Sequence, residues 1–149
     1  MNPSELRSTL ALAGIFGLRM LGLFLLLPVF SIHARGLPGG EHALSVGLTL
    51  GIFNIVQACF YIPLGSLSDR IGRKPVVLWG LFLFVAGALI CAAQDNLLWI
   101  AIGRGIMGAG AVSAAISAWV ADLTREQVRT RAMALVGGSI ALSFALSLV

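Results

Sequence analysis

The sequence predicts an all-α membrane protein, and three observations carry that prediction. Of its 149 residues, 58% are hydrophobic and 11% charged, with a mean hydropathy of +0.98. A water-soluble domain carries about a quarter charged residues. The apolar residues gather into five long runs, and most of the cations sit in the short gaps between them. One soluble core cannot absorb so little charge, because a domain of this size leaves roughly a third of its chain surface facing water. A soluble enzyme is thereby excluded. So are a disordered chain, on apolar content, and a disulfide scaffold, on the count of two cysteines.

Each run has about the twenty residues that a helix needs to cross hydrocarbon. The spans are predicted at 9–30, 44–64, 76–93, 98–121 and 132–149. Residues 43–68 and 75–94 hold no charge at all. Ten-residue segments of alternating polarity, the mark of a membrane barrel, are missing from them. After the first span, Gly36, Pro38, Gly39 and Gly40 predict a loop that cannot continue a helix. The second gap, 66–75, is dense in charge, and Pro75 is placed to open the third span in its first turn. Asp95 and Asn96 predict a tight turn between antiparallel neighbours. Thr124 and Gln127 have the spacing of a capping box.

Loops on the side of the amino terminus hold Arg7, Arg70, Arg73, Lys74, Arg125, Arg129 and Arg131, and the opposite loops hold Arg35. That bias puts the amino terminus in the cytoplasm. It also disposes of nucleic acid as the partner behind the pI near 10.1, since the cations mark loops rather than one binding face. Cys59 and Cys91 fall within spans and read as small buried residues. The chain stops at Val149 inside an apolar run, so it reads as the amino-terminal portion of something longer.

The stretch Gly65-Ser66-Leu67-Ser68-Asp69-Arg70-Ile71-Gly72-Arg73-Lys74-Pro75 reads as a tight reversal between two helices. Gly65 and Gly72 allow close approach and left-handed backbone. Asp69, expected just after a helix end, needs an Arg or another helix's amino terminus as partner. Taken alone, the stretch is equally a solvated basic loop that sets topology. It resembles, at every fixed position, the loop motif G-x-L-[AS]-D-R-x-G-R-[KR] of the major facilitator superfamily. Arg104-Gly105-Ile106-Met107-Gly108-Ala109-Gly110 is similar to that family's R-x-x-Q-G-x-G in span four. The text around Gly17 to Gly22 and Asp122 to Gln127 resembles the YajR-like branch of drug:proton antiporters.

The resemblance implies helices one to five of a six-helix amino-terminal half, with the carboxy-terminal half absent. It implies that Gly65, Asp69, Arg70, Gly72, Arg73 and Asp122 form a conformational latch between the two halves. Asp122 would pair with Arg70 or Arg73, and Asp69 would face a helix of the missing half. Arg104 and Gly108 would belong to the proton-coupling region. Met107 stands where the family usually has Gln, and the family's G-x-x-x-G-P motif of span five falls beyond Val149.

Among the remaining polar residues, Arg19 lies about halfway along the first span. A charge there costs roughly 2.5–3.5 kcal/mol on insertion scales, so it should face protein or water. It reads either as a cavity-facing cation or as a structural one bonded to backbone carbonyls. Asn54, Gln57 and Tyr61 share one helical face. That face lines a cavity, or it bonds between helices. Small residues at Gly110, Ser113, Ala114, Ser117, Ala118 and Ala121, and at Ala134, Gly137, Gly138 and Ala141, predict close packing. Trp99 reads as an interfacial anchor. No acid falls mid-membrane. No metal-ligand cluster, nucleophile triad or phosphate loop is present, so neither an enzyme nor a cofactor is expected. The resemblance implies a secondary transporter of the inner membrane, exporting small amphipathic compounds against protons, with the bilayer and a small-molecule substrate as partners. The alternatives are a metabolite symporter or facilitator of the same superfamily, and a truncated chain with no transport of its own.

Overall fold

The computed structural model describes residues 2–38, 40–110 and 112–148. Among them the chain forms six α-helices, one short 3-10 turn and no strand: α1 (Pro3–His33), α2 (Ala43–Ile71), α3 (Arg73–Ala93), α4 (Leu97–Ala109), α5 (Ser113–Leu123) and α6 (Glu126–Ser147). Five helical runs are long and apolar enough to cross a bilayer, α4 and α5 together supplying the fourth. Helix is the form these sequences must take in lipid, where no water is available to satisfy backbone N–H and C=O groups.

The helices overrun the predicted spans, chiefly at the ends that carry charge. α2 continues to Ile71, so Asp69 lies in its last turn and not beyond it. A single non-helical residue, Gly72, joins α2 to α3, at φ 101° and ψ 158°. That backbone region is essentially reserved for glycine. Gly65, by contrast, is helical and has open space where a Cβ would lie, so neither close approach nor left-handed backbone explains it. Pro75 falls in the first turn of α3, where its missing N–H costs nothing. Asn96 caps α4 by accepting from the Leu98 N–H at 2.9 Å.

Two expectations need correction. The fourth span is not one helix: α4 ends at Ala109, and Gly110 donates its N–H to the Met107 carbonyl at 3.2 Å. Gly108 and Gly110 weaken the helix there, and Gly110 and Val112 are buried, which lets non-helical backbone persist at membrane depth. Nor is there a capping box at Thr124. Its hydroxyl turns back to the Val120 carbonyl at 2.7 Å, and Arg125, without a side-chain cap, precedes α6. Of the loop-breaking residues after α1, Gly39 lies outside the described residues.

The chain divides into two compact units, one of Met1–Pro28 with Ile116–Val149, the other Val29–Ala115. In the second, α4 packs on both α3 and α2. The α3–α4 pair is antiparallel, as the short turn predicts, and its axes meet at glycines. A Cβ on Gly103 would stand 2.7 Å from Cys91 Sγ and 2.8 Å from the Gly87 carbonyl, and one on Gly80 would collide with Val112. Gly108 lies so close to the Phe53 carbonyl that any side chain there would displace α2. Without a hydrophobic effect between helices in lipid, such close approach is what holds them together. In the first unit Ser143 donates to the Gly17 carbonyl at 2.7 Å, and Phe24 meets Phe144 edge to face at 5.3 Å. The small stripe of α6 does not pack this way: Gly137 and Gly138 have open space beside them.

Candidate functional site

The charged turn between α2 and α3 gathers three side chains around Gly72. Arg73, the first residue of α3, forms an ion pair with Asp69 in the last turn of α2. The same guanidinium donates from Nη1 to the Ser68 hydroxyl at 2.6 Å. Ser68 is buried and donates in turn to the Gly65 carbonyl at 2.7 Å. The glycine conformation at 72 permits this arrangement: it lets α3 start within one residue of α2's end, so that the first residue of one helix reaches the last turn of the other. Arg70, on the same turn, is exposed. Asp122, near the end of α5, is also exposed and belongs to the other unit.

Arg104 occupies the middle of the α2–α4 contact and is 1% exposed. Its Nε donates to the Thr49 carbonyl at 3.1 Å and its Nη2 to the Leu50 carbonyl at 3.3 Å. The guanidinium carbon lies 5.6 Å from the centre of the Phe53 ring, within cation–π range. Its Nη1 is buried without a hydrogen-bond partner among the described residues. Met107 makes no substitute for the family's Gln here; it is 1% exposed and fills the space beside Gly87. A guanidinium does not deprotonate in proteins, so Arg104 offers a fixed positive charge and the spare N–H donors of Nη1. It can bias a neighbouring acid or hold an anion, but it cannot carry a proton.

The polar face of α2 is divided. Gln57 donates to the Ser113 hydroxyl at 3.5 Å, which is interhelical bonding. Asn54 and Tyr61 are exposed. Arg19 is 4% exposed, buried in the first unit's part of α1.

A cluster that sequence reasoning missed lies at the start of α1. Asn2-Pro3-Ser4-Glu5 is a capping box with proline at the first helical position, and Glu5 closes it by accepting from the Asn2 N–H at 2.7 Å. Arg125 then grips the same carboxylate through Nε at 2.9 Å and Nη2 at 3.4 Å, and reaches Asn2 Oδ1 at 3.4 Å. These bonds, Arg125's first, hold the Glu5 carboxyl at about 2, well below its usual 4.5. The box was legible in the sequence; its partner, 120 residues away, was not.

Among the described residues no group of His, Cys, Asp or Glu could hold a metal ion. Bilayer-length helices, buried arginines within them and a charged turn closed by one glycine are the build of a polytopic membrane protein. The sequence profile of the Major Facilitator Superfamily matches residues 12–149, and the chain belongs to that superfamily. It is 48% identical over 149 residues to the inner membrane transport protein YajR of Escherichia coli (strain K12), covering 100% of this chain and 33% of that protein. It is 42% identical to an uncharacterized transporter of Buchnera aphidicola subsp. Schizaphis graminum, covering 100% and 38%. Over 116 residues it is 37% identical to the class D tetracycline resistance protein of Salmonella ordonez, covering 74% and 28%. The chain thus spans about a third of the length of the relatives it matches.

Proposed function

We propose that the chain forms membrane spans one to five of a proton-coupled exporter of small amphipathic compounds, working by alternating access. On this reading the charged turn is the latch of the outward-facing state, formed by Gly65, Asp69, Arg70, Gly72 and Arg73 of the α2–α3 turn. The amino terminus lies in the cytoplasm and the membrane is the inner one. Arg104, with Gly108 beside it, biases the protonation site through its fixed charge, and Asn54 and Tyr61 line the substrate path. Gln57 has an interhelical partner and contributes less to that path.

The single observation behind this reading is the Asp69–Arg73 pair on a glycine-closed turn, in a chain related to a tetracycline resistance protein. An exposed pair alone contributes little stability. Its value lies in being breakable, which is what a latch requires.

The test uses the full-length gene product in everted membrane vesicles with an imposed pH gradient and a lipophilic cationic dye as probe. The dye should move against the proton flow. Asp69→Asn should slow that movement by about tenfold, the scale of losing one bond to a charged group. Dye and protons moving in the same direction would return the symporter, and no proton dependence would leave a facilitator.

A further inference from the structure

The latch reading leaves out Ser68, and the inference concerning it rests on that reading. Ser68 is 1% exposed. A serine hydroxyl has one proton and two lone pairs. Here the proton is committed to the Gly65 carbonyl at 2.7 Å, so toward the turn the oxygen can only accept. A guanidinium can only donate, and Arg73 Nη1 fills the place at 2.6 Å.

The two acceptors of Arg73 within α2 differ in kind. The Asp69 side chain is 62% exposed against 21% for Arg73, so water competes for their ion pair and salt screens it. The Ser68 oxygen is closed to water, and nothing replaces Arg73 there without leaving a buried acceptor short. Exchange of partners is therefore cheap at Asp69 and costly at Ser68.

We propose that Ser68 is the positioning residue of the latch. It fixes the Arg73 guanidinium to the end of α2 through the conformational cycle, and Asp69 is the member that changes partners. A small residue without a hydroxyl would fit the same space but remove the water-shielded acceptor of Arg73.

The experiment compares the full-length gene product as wild type, Ser68→Ala, Arg73→Ala, the double variant and Ser68→Thr, reading transport of the dye and melting temperature in detergent. Ser68→Ala should slow transport roughly tenfold, as loss of an acceptor for a charged donor, and Ser68→Thr, which keeps the hydroxyl, should restore it. The melting penalty of Ser68→Ala should shrink when Arg73 is already Ala, to that of the lost bond to Gly65, and should persist undiminished in an Asp69→Asn background. If Ser68→Ala does not fold, Ser68→Cys, similar in size but a weak acceptor, carries the same comparison. An equal penalty with and without Arg73 would reduce Ser68 to packing and overturn the inference. So would wild-type transport by Ser68→Ala where Arg73→Ala is impaired. Wild-type transport by Arg73→Ala would instead sink the latch reading itself.

Discussion

Glu5 does two jobs with one carboxylate: it closes the capping box of α1 and it receives Arg125 from the threshold of α6. Its acidity is the measurable consequence. A carboxyl held at about 2 in the folded chain against 4.5 when unfolded binds fewer protons in the native state between those values. It contributes stability in full above pH 4.5 and loses it as the pH falls toward 2. Melting of the purified chain in detergent should therefore fall with acid across that window more steeply for wild type than for Glu5→Gln. The two proteins should converge at the acid end. At this scale the sequence was legible where the backbone signal is local, as with the tight turn at Asp95 and Asn96. It was opaque wherever the partner comes from another helix: Arg104 looks like a coupling residue in sequence, and only the fold reveals that the backbone of α2 at Thr49 and Leu50 holds it. Thr124 misled because its hydroxyl had a second local acceptor, the carbonyl one turn back, a choice that spacing does not decide.

Among the helices, contact depends on which glycines meet a neighbour. Runs of small residues predicted two packing stripes, yet the open surroundings of Gly137 and Gly138 contrast with the close quarters of Gly80, Gly87 and Gly103. Small size is visible in a sequence, but the face that a neighbour approaches is not. Gly103→Ala must push α3 from α4, because backbone and sulfur lie in the way, and overpacking of this kind costs about 1–3 kcal/mol. Gly137→Ala meets nothing and gains up to about 1 kcal/mol of helix propensity. Melting of the chain in detergent should drop for the first and hold or rise for the second; equal behaviour would show that the α3–α4 seam is looser than drawn. The interruption of the fourth span belongs here too. Apolar content, which flags a membrane crossing, continues unbroken through Gly110 and Val112, so hydropathy cannot register a break in the hydrogen-bond ladder.

For the chain as a whole, lipid as solvent explains the large apolar side chains left on the surface, Leu18, Ile32, Ile62 and Leu89 among them. Such a surface in water would be an aggregation site. The number of crossings was legible because length and hydropathy are properties of single runs. The direction of insertion is a further expectation from the arginine count, and it is checked by labelling. In a chain with Cys59 and Cys91 replaced, a membrane-impermeant thiol reagent added to intact cells should modify Glu41→Cys and leave Lys74→Cys untouched. The reverse pattern would invert the topology. Gly72 has a mechanical corollary. One extended residue reaches only about 3.5 Å, so α2 and α3 share a joint with almost no slack. A tilt of either axis at that end must drag the other along, as with two rods pinned at a common rivet, and a few inserted glycines there would uncouple them without touching a single charge.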